Sequence, residues 1–480
     1  MLQKLERKIK AKYHINGNYK FSGGLFMAMK SSWFNIIVLL LFTSCSGLSS
    51  YKELTISEKE NTPYVYVSVT DDDYENMEAL QLTKVMGNGI NLGNTMDACG
   101  GGWIGFKKDP LEYEHCWGMP ETQKVMFTAY KEAGFDCVRI PVSWLNAMDI
   151  ANGDYTIDSR YINRVATIVN WALEADLFVI LNDHHDYEWC ALFGPEETRE
   201  EAYRVFDAIW DQVGTYFKDY SYKLIFEAAN EQWGAGFYHA FSIGGKDYTI
   251  DTEVSEWSSS AADFTAFQNK CYDIIEEIGQ YYVDKIRAQG GKNDKRFLLM
   301  PGYDTSMTYT ADRRYKMPQD SANEDIKKLL VSVHYYGPAT YSILSEDAGW
   351  GKVANRWGTA QEVKDQNKDF AQMQRFTNEG YGVIVGEYAV AMLKKSDGTY
   401  VRKNDDIKWM TNVLDNCDKY NYCPLIWECN DYFKRGWKRV KISDWESQDV
   451  KCELGFVDSD VAELFKNRSY AVEKAALTSE

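Results

Sequence analysis

Eight short apolar runs, helical patterns between them, and polar residues where the runs end predict an α/β protein: a (β/α)8 TIM barrel forming a single catalytic domain. The runs are GINLGN at 89–94, FDCVRIPVSW at 135–144, FVILNDHH at 178–185 and YKLIFEAANE at 222–231. They continue as FLLMPGYD at 297–304, LVSVHYYGP at 330–338, VIVGEYAV at 383–390 and NYCPLIWECND at 421–431. Nearly continuous apolar character suits strands buried on both faces of a parallel sheet. Successive runs start 33 to 75 residues apart, enough for one crossover helix in each interval. Helical patterns fall at 122–133, 160–175, 199–217, 264–287, 361–379 and 405–420. In the first of these, Val125, Met126, Ala129 and Ala133 share a stripe, and Gly134 stands where a C-cap belongs. The 75-residue interval implies an insertion at 232–263, after the fourth strand, on the face where barrel active sites form.

The chain has 480 residues with 53 Lys plus Arg against 71 Asp plus Glu, a net charge of −18, which argues against nucleic acid as a partner. Aromatic residues make up 15% of the chain; most belong to the core, but flat amphipathic rings are also what sugars stack on. The one long apolar run, 33–42, is too short to span a bilayer. Lys30 precedes it, and Thr43, Ser44 and Cys45 follow, as in a secretory signal ending in a bacterial lipobox. The expected organisation is therefore an N-terminal extension with a lipoprotein-type signal (1–45), a polar tether (46–75) and the barrel (76–480). Export is expected, with Cys45 as a lipid anchor and the only link to a membrane; a plain secretory signal is the alternative. Nine cysteines remain after Cys45, with no C-x-x-C spacing, so no zinc site is expected and at most a few disulfides.

Residues that a core would not choose stand at the ends of the runs: Asn91 and Asn94; Arg139; His184 and His185; Asn230 and Glu231; His334 and Tyr336; Glu387; Trp427. In a parallel barrel these ends converge on one mouth. Glu231 follows the fourth strand and Glu387 the seventh, nearly opposite each other. Two facing carboxyl groups, one protonated and one ionised, are what cleavage of a glycosidic bond requires: an acid for the leaving oxygen, and a nucleophile or base for the cation-like carbon. Neighbouring charge and burial let two like side chains take these unlike roles.

This pattern resembles glycoside hydrolase family 5, and within it the endo-β-1,4-glucanases. The resemblance rests on GINLGNTMDA (89–98), VRIPVSW (138–144), NDHHD (182–186), FEAANE (226–231), VHYY (333–336), GEY (386–388) and the Trp427 strand. It implies that Glu231 is the acid/base and Glu387 the nucleophile of a retaining double displacement. Arg139 would hold Glu387 ionised, Tyr336 would hydrogen-bond it, and Asn230 would bind the sugar 2-hydroxyl. His184, His185 and His334 would orient substrate and acid, Asn91 would support the site, and Trp427 would be the stacking floor. Gln232 stands where the family usually has Pro, Ile90 where Trp is frequent, and Glu428 where Asp is common.

Three other readings are weighed against this one. Adjacent strand residues point to opposite faces, so His184 and His185 are not expected to chelate one ion, and neither a metal nor any other cofactor is expected. Gly87, Gly89 and Gly93 are spaced one residue too long for a dinucleotide-binding loop. A non-catalytic surface glycan-binding lipoprotein would most simply show substitution of Glu231 or Glu387, and both are present. The expected substrate is a β-linked plant polysaccharide (cellulose, xyloglucan or mixed-linkage glucan), with mannan and xylan as same-family alternatives, acted on by a monomer. Trp103, Trp189, Trp233 and Trp257 lie in loops after strands and fit either wall platforms or local packing anchors. Trp144 is expected in the core, and the insertion 232–263 is expected to narrow or extend the cleft.

Overall fold

The computed structural model describes residues 63–68, 71–100, 107–238, 241–243, 246–248, 261–436, 454–466 and 468. Eight strands form a closed parallel barrel: β1 (Gly89–Asn91), β2 (Cys137–Ile140), β3 (Phe178–Asn182), β4 (Leu224–Glu227), β5 (Leu298–Ser306), β6 (Leu329–Tyr335), β7 (Gly382–Tyr388) and β8 (Tyr422–Ile426). Each pairs with its neighbours in sequence, and β1 closes the ring by pairing Gly89 with both Cys137 of β2 and Leu425 of β8. Every expected run holds a strand, and the chemically unusual residues lie at or just beyond the C-terminal strand ends.

The main crossover helices are α1 (Lys124–Glu132), α2 (Ser159–Glu174), α3 (Arg199–Tyr216), α4 (Ala261–Ala288), α5 (Ala360–Gln372) and α6 (Asp406–Tyr420). Local chemistry sets their starts. Asp158 caps α2 by accepting from Arg160 N, and Thr359 with Glu362 forms a capping box on α5. The buried side of α1 is Met126, Phe127 and Tyr130, rotated about one residue from the expected stripe. The larger rings there take the core position, leaving Val125 and Ala129 half-buried. The β5–β6 connection departs from expectation, because it holds a four-residue helix at Met307–Thr310 and a short turn at Ser321–Asn323 instead of a crossover helix. β5 itself runs to Ser306 and uses up part of this shortest interval.

Alternation along the strands divides the barrel interior into two zones. Cys137, Phe178, Ile180, Ile225, Leu299, Leu330, Ile384, Cys423 and Leu425 form an apolar plug, and the helix Ala79–Val85 closes that end with Ala79, Leu82 and Met86 packed against the plug. Two residues further along the same strands stand Arg139, Asn182 and Glu227, all buried, beneath the mouth.

Part of the segment expected as a tether is docked on the barrel: Tyr66 N donates to Asn170 Oδ1, and the Asp71 carboxylate accepts from Tyr222 N and pairs with Lys292. Among the described residues no two cysteines form a disulfide with each other, and Cys137 and Cys423 are in contact at 3.6 Å across β1. Among the described residues no helix is long and apolar enough to cross a membrane. The apolar run 33–42, Cys45, Trp103 and Trp257 lie outside the described residues.

Candidate active site

A bulge delivers Glu387 to the mouth. β6 and β7 stay in register from Leu330↔Gly382 to Val333↔Val385, and then His334 pairs with Glu387, skipping Gly386. The same irregularity separates Pro424↔Val385 from Ile426↔Tyr388 on the other side. Strict alternation would turn Glu387 outward; the extra residue turns it in. Space at this bulge is tight, since a Cβ on Gly386 would lie 3.0 Å from Ser332 Oγ and 3.1 Å from His334 Nε2. Asn91 pins the bulge by donating from Nδ2 to Gly386 O (2.8 Å) and Ile426 O (3.1 Å), which is a supporting role deep in the barrel seam.

Arg139 organises the centre. Its Nε donates to Glu227 Oε2 at 2.7 Å, Nη1 to Glu387 Oε1 at 2.9 Å and to Asn91 Oδ1 at 3.1 Å, and Nη2 to Asn230 Oδ1 at 2.8 Å. Tyr336 donates to the other oxygen of Glu387 at 3.0 Å. Across the mouth, Glu231 shares a 2.8 Å hydrogen bond with His334 Nδ1. Carboxylate oxygens of Glu231 and Glu387 lie within 4.8 Å of one another, with His334 Nδ1 inside the same radius.

The two carboxyl groups sit in unlike fields. Burial pushes Glu231 well above the ordinary carboxylate value, and the charge of Glu387 pushes it further. Burial raises Glu387 only to about 7, because Arg139 and the Tyr336 hydroxyl stabilise its anion. Burial, aided by the Arg139 charge, holds His184 and His334 well below the usual imidazole range, so both are neutral. The site therefore favours a proton on Glu231 over one on Glu387.

Trp427 lines the mouth beside this pair, its ring nearly parallel to that of His184 (8°) at 5.6 Å. Gly93 lies against the indole, and a Cβ at 93 would come within 2.8 Å of it. His184 reaches Glu387 Oε1 at 3.9 Å. His185 touches neither glutamate; it faces Asp97 at 3.9 Å and the rings of Trp117 and Tyr187. The two histidine rings lie only 4.3 Å apart, contrary to the expectation that they point to opposite faces. β3 ends at Asn182, so strand alternation does not govern residues 184 and 185.

Asp97, His184 and His185 therefore bring possible ligand atoms within 4.8 Å, as do Glu231, His334 and Glu387. Burial lowers both His184 and His185, and the positive field of Arg139 adds to it. Both oxygens of Glu387 already accept hydrogen bonds. The chemistry of this donor set is that of an acid–base pair.

Glu227, Asp97 and Trp117 are the site residues that sequence reasoning misses. Glu227 carries a signal, a glutamate inside an apolar run, that Glu231 overshadows. Trp189 and Trp233 are fully buried packing anchors, as is Trp144. The described part of the insertion forms a short turn at Ala235–Tyr238 and a hairpin pairing Phe241–Ile243 with Lys246–Tyr248.

The family model for cellulase (glycosyl hydrolase family 5) matches residues 102–433. The chain belongs to glycoside hydrolase family 5. This hydrolase is 32% identical over 375 residues to endoglucanase B of Ruminococcus albus, covering 77% of each chain. It is 28% identical to a xyloglucan-specific endo-beta-1,4-glucanase of Bacteroides ovatus, covering 76% of this chain and 67% of that one. Its barrel superposes on a family 5 lichenase from a Caldicellulosiruptor species with a TM-score of 0.64 at 24% identity, over 85% of this chain and 97% of the other. The protein is a glycoside hydrolase of the endo-β-glucanase kind, and polysaccharide is its substrate class. Its departures from the usual family pattern have local explanations. Gln232, in place of Pro, donates to His184 O at 2.6 Å and ties the loops after β3 and β4 together. Glu428, in place of Asp, accepts from the backbone N–H groups of Asp431, Tyr432 and Phe433, and so braces the loop after Trp427. Ile90, in place of Trp, is a fully buried residue of the main core.

Proposed function

We propose that the protein is a retaining endo-β-1,4-glycosidase that cuts β-glucan-type plant polysaccharide by double displacement. The observation that carries this reading is that Glu231 and Glu387 face each other after β4 and on β7 with carboxylate oxygens within 4.8 Å of one another, which favours the closer spacing of a retaining pair. Retaining pairs stand about 5–5.5 Å apart, whereas inverting pairs need about 6.5–9.5 Å. In the first step Glu387 attacks the anomeric carbon while Glu231 gives its proton to the leaving oxygen, producing a glycosyl ester on Glu387. In the second step Glu231, now ionised, takes a proton from water, which attacks the same carbon and frees Glu387. Arg139 and Tyr336 keep Glu387 ionised before attack and receive the negative charge again when the ester breaks. Asn230, held through its Oδ1 by Arg139, offers its amide to the sugar 2-hydroxyl, and Trp427 supplies the apolar ring face.

Relatives named as endoglucanase, xyloglucan-specific glucanase and lichenase support a β-1,4-linked glucan backbone as the polymer class. The test is reducing-sugar release from xyloglucan, mixed-linkage glucan, soluble cellulose, mannan and xylan by the protein from residue 46 onward. The expected result is release from one or more glucans, lost in E387Q and E231Q. Binding without release would contradict it. The signal-like run 33–42 and Cys45 support export with a lipid at Cys45. Metabolic labelling with a fatty acid, absent in C45S, is the expected result; equal labelling of C45S would remove the anchor.

A further inference from the structure

Glu227 has no part in the two-step chemistry above, yet it is the closest partner of the residue that controls it. It ends β4, its side chain and that of Arg139 on β2 are both fully buried, and their 2.7 Å ion pair is shorter than the 2.9 Å contact from Arg139 to Glu387. A guanidinium has five N–H groups in a rigid fork. Here Nε is taken by Glu227, which leaves Nη1 aimed at Glu387 and Nη2 at Asn230. Register explains the placement, for Glu227 pairs with Asn182 on β3 and Leu299 on β5 and stands at the polar level of the interior. Glu227 Oε1 accepts nothing from the protein, so Arg139 is its one side-chain partner among the described residues.

We propose that Glu227 is a positioning residue for the glycosidase reaction: it fixes the Arg139 fork and takes part of the guanidinium charge, so that Glu387 is oriented by Arg139 without being locked into a full ion pair. A carboxylate that is the sole partner of a buried arginine is a poor nucleophile, because attack on the sugar must first give up that pair. A carboxylate with no arginine beside it would hold its proton instead. Sharing one cation between two anions sets Glu387 between these limits. The charges are consistent with this: Glu227 raises Glu387 while Arg139 lowers it, and Glu227 is the larger of the two acidic influences on Arg139. Glu231 responds to Glu387, Arg139 and Asp304. The groups facing Glu387 are Arg139 from β2, His184 after β3, Glu227 and Glu231 at and after β4, and His334 and Tyr336 on and just after β6, with Tyr187 further out.

The inference rests on Glu387 being the nucleophile, and E387Q separates the two ideas: an active E387Q sinks that reading, whereas an inactive one leaves the role of Glu227 to be decided by its own variants. In E227Q the amide still accepts from Arg139 Nε, so shape is kept and charge is lost. The acid limb of kcat/KM, which reports ionisation of Glu387, should move down by about one pH unit, and the basic limb, set by Glu231, should move less. In E227D the charge stays but the fork is drawn toward β4, so kcat should fall about tenfold or more with KM within about twofold and the acid limb in place. A merely structural residue would lower melting temperature and active fraction without moving either limb. An unmoved acid limb in folded E227Q overturns the proposal. If E227Q does not fold, wild-type kcat in E227D overturns it.

Discussion

Arg139→Met removes the charge at the centre of the site while keeping roughly the same volume. The guanidinium is fully buried and makes four hydrogen bonds of 2.7 to 3.1 Å, two of them to carboxylates. Without it, Glu227 and Glu387 face each other's charge with no cation between them. Removing one partner of a buried ion pair costs about 3–5 kcal/mol, most of it from the charges left behind. A folded domain of about 400 residues unfolds with an entropy of about 0.8 kcal/mol/K, so the melting temperature should fall by about 4–6 °C. The loss depends on pH in a defined direction. In the variant both buried carboxyls bind protons more tightly folded than unfolded, so the deficit is complete above their raised folded values. It shrinks as pH falls toward the unfolded value of about 4.3. Activity should fall about 10²–10³-fold near neutral pH, because Glu387 is then protonated and its orienting donor is gone. Thermal unfolding at pH 5 and pH 8, with glucan hydrolysis at the same two values, measures both effects. Wild-type melting and activity at pH 8 would refute the role assigned to Arg139.

Three further outcomes follow from the same geometry. Gly386→Ala should drive its new Cβ against His334 and displace that ring from Glu231, lowering kcat about ten- to a hundredfold with little change in KM; unchanged kcat would show that the bulge tolerates a side chain. The kcat/KM profile should be bell-shaped, lost as pH falls through the value of about 7 for Glu387 and as it rises through that of Glu231; an acid limb at the ordinary carboxylate value would contradict the burial argument. Azide should restore turnover to Glu387→Gly and yield a glycosyl azide of inverted anomeric configuration, whereas restored hydrolysis with no azide adduct would remove Glu387 as nucleophile.

The barrel is legible in the sequence because each strand is buried on both faces and so reads as an unbroken apolar run, and because the intervals allow one topology. The missing helix between β5 and β6 is less legible, since the length of β5 depends on tertiary pairing past Pro301. Glu231 and Glu387 stand out as charges where apolar runs end. The inward turn of Glu387 does not, because it depends on a bulge that only the register with β6 and β8 reveals. Glu227 is hidden for the opposite reason: one glutamate within a strand reads as an interruption until Arg139 is placed beside it. The histidine pair is misjudged by applying strand alternation to residues that lie past the end of β3. Loop tryptophans divide by burial, which sequence does not supply: Trp189 and Trp233 are core, while half-buried Trp117 faces the mouth beside His185.

The division of labour between the two glutamates is tested most directly by trapping the intermediate. A 2-deoxy-2-fluoro cello-oligosaccharide with a good leaving group slows both steps but hydrolysis of the ester more, so the glycosyl-enzyme accumulates. Peptide mass spectrometry of the inactivated wild-type protein should place one sugar on Glu387. A label on Glu231, or no label from a protein that still hydrolyses glucan with inversion, would contradict the account.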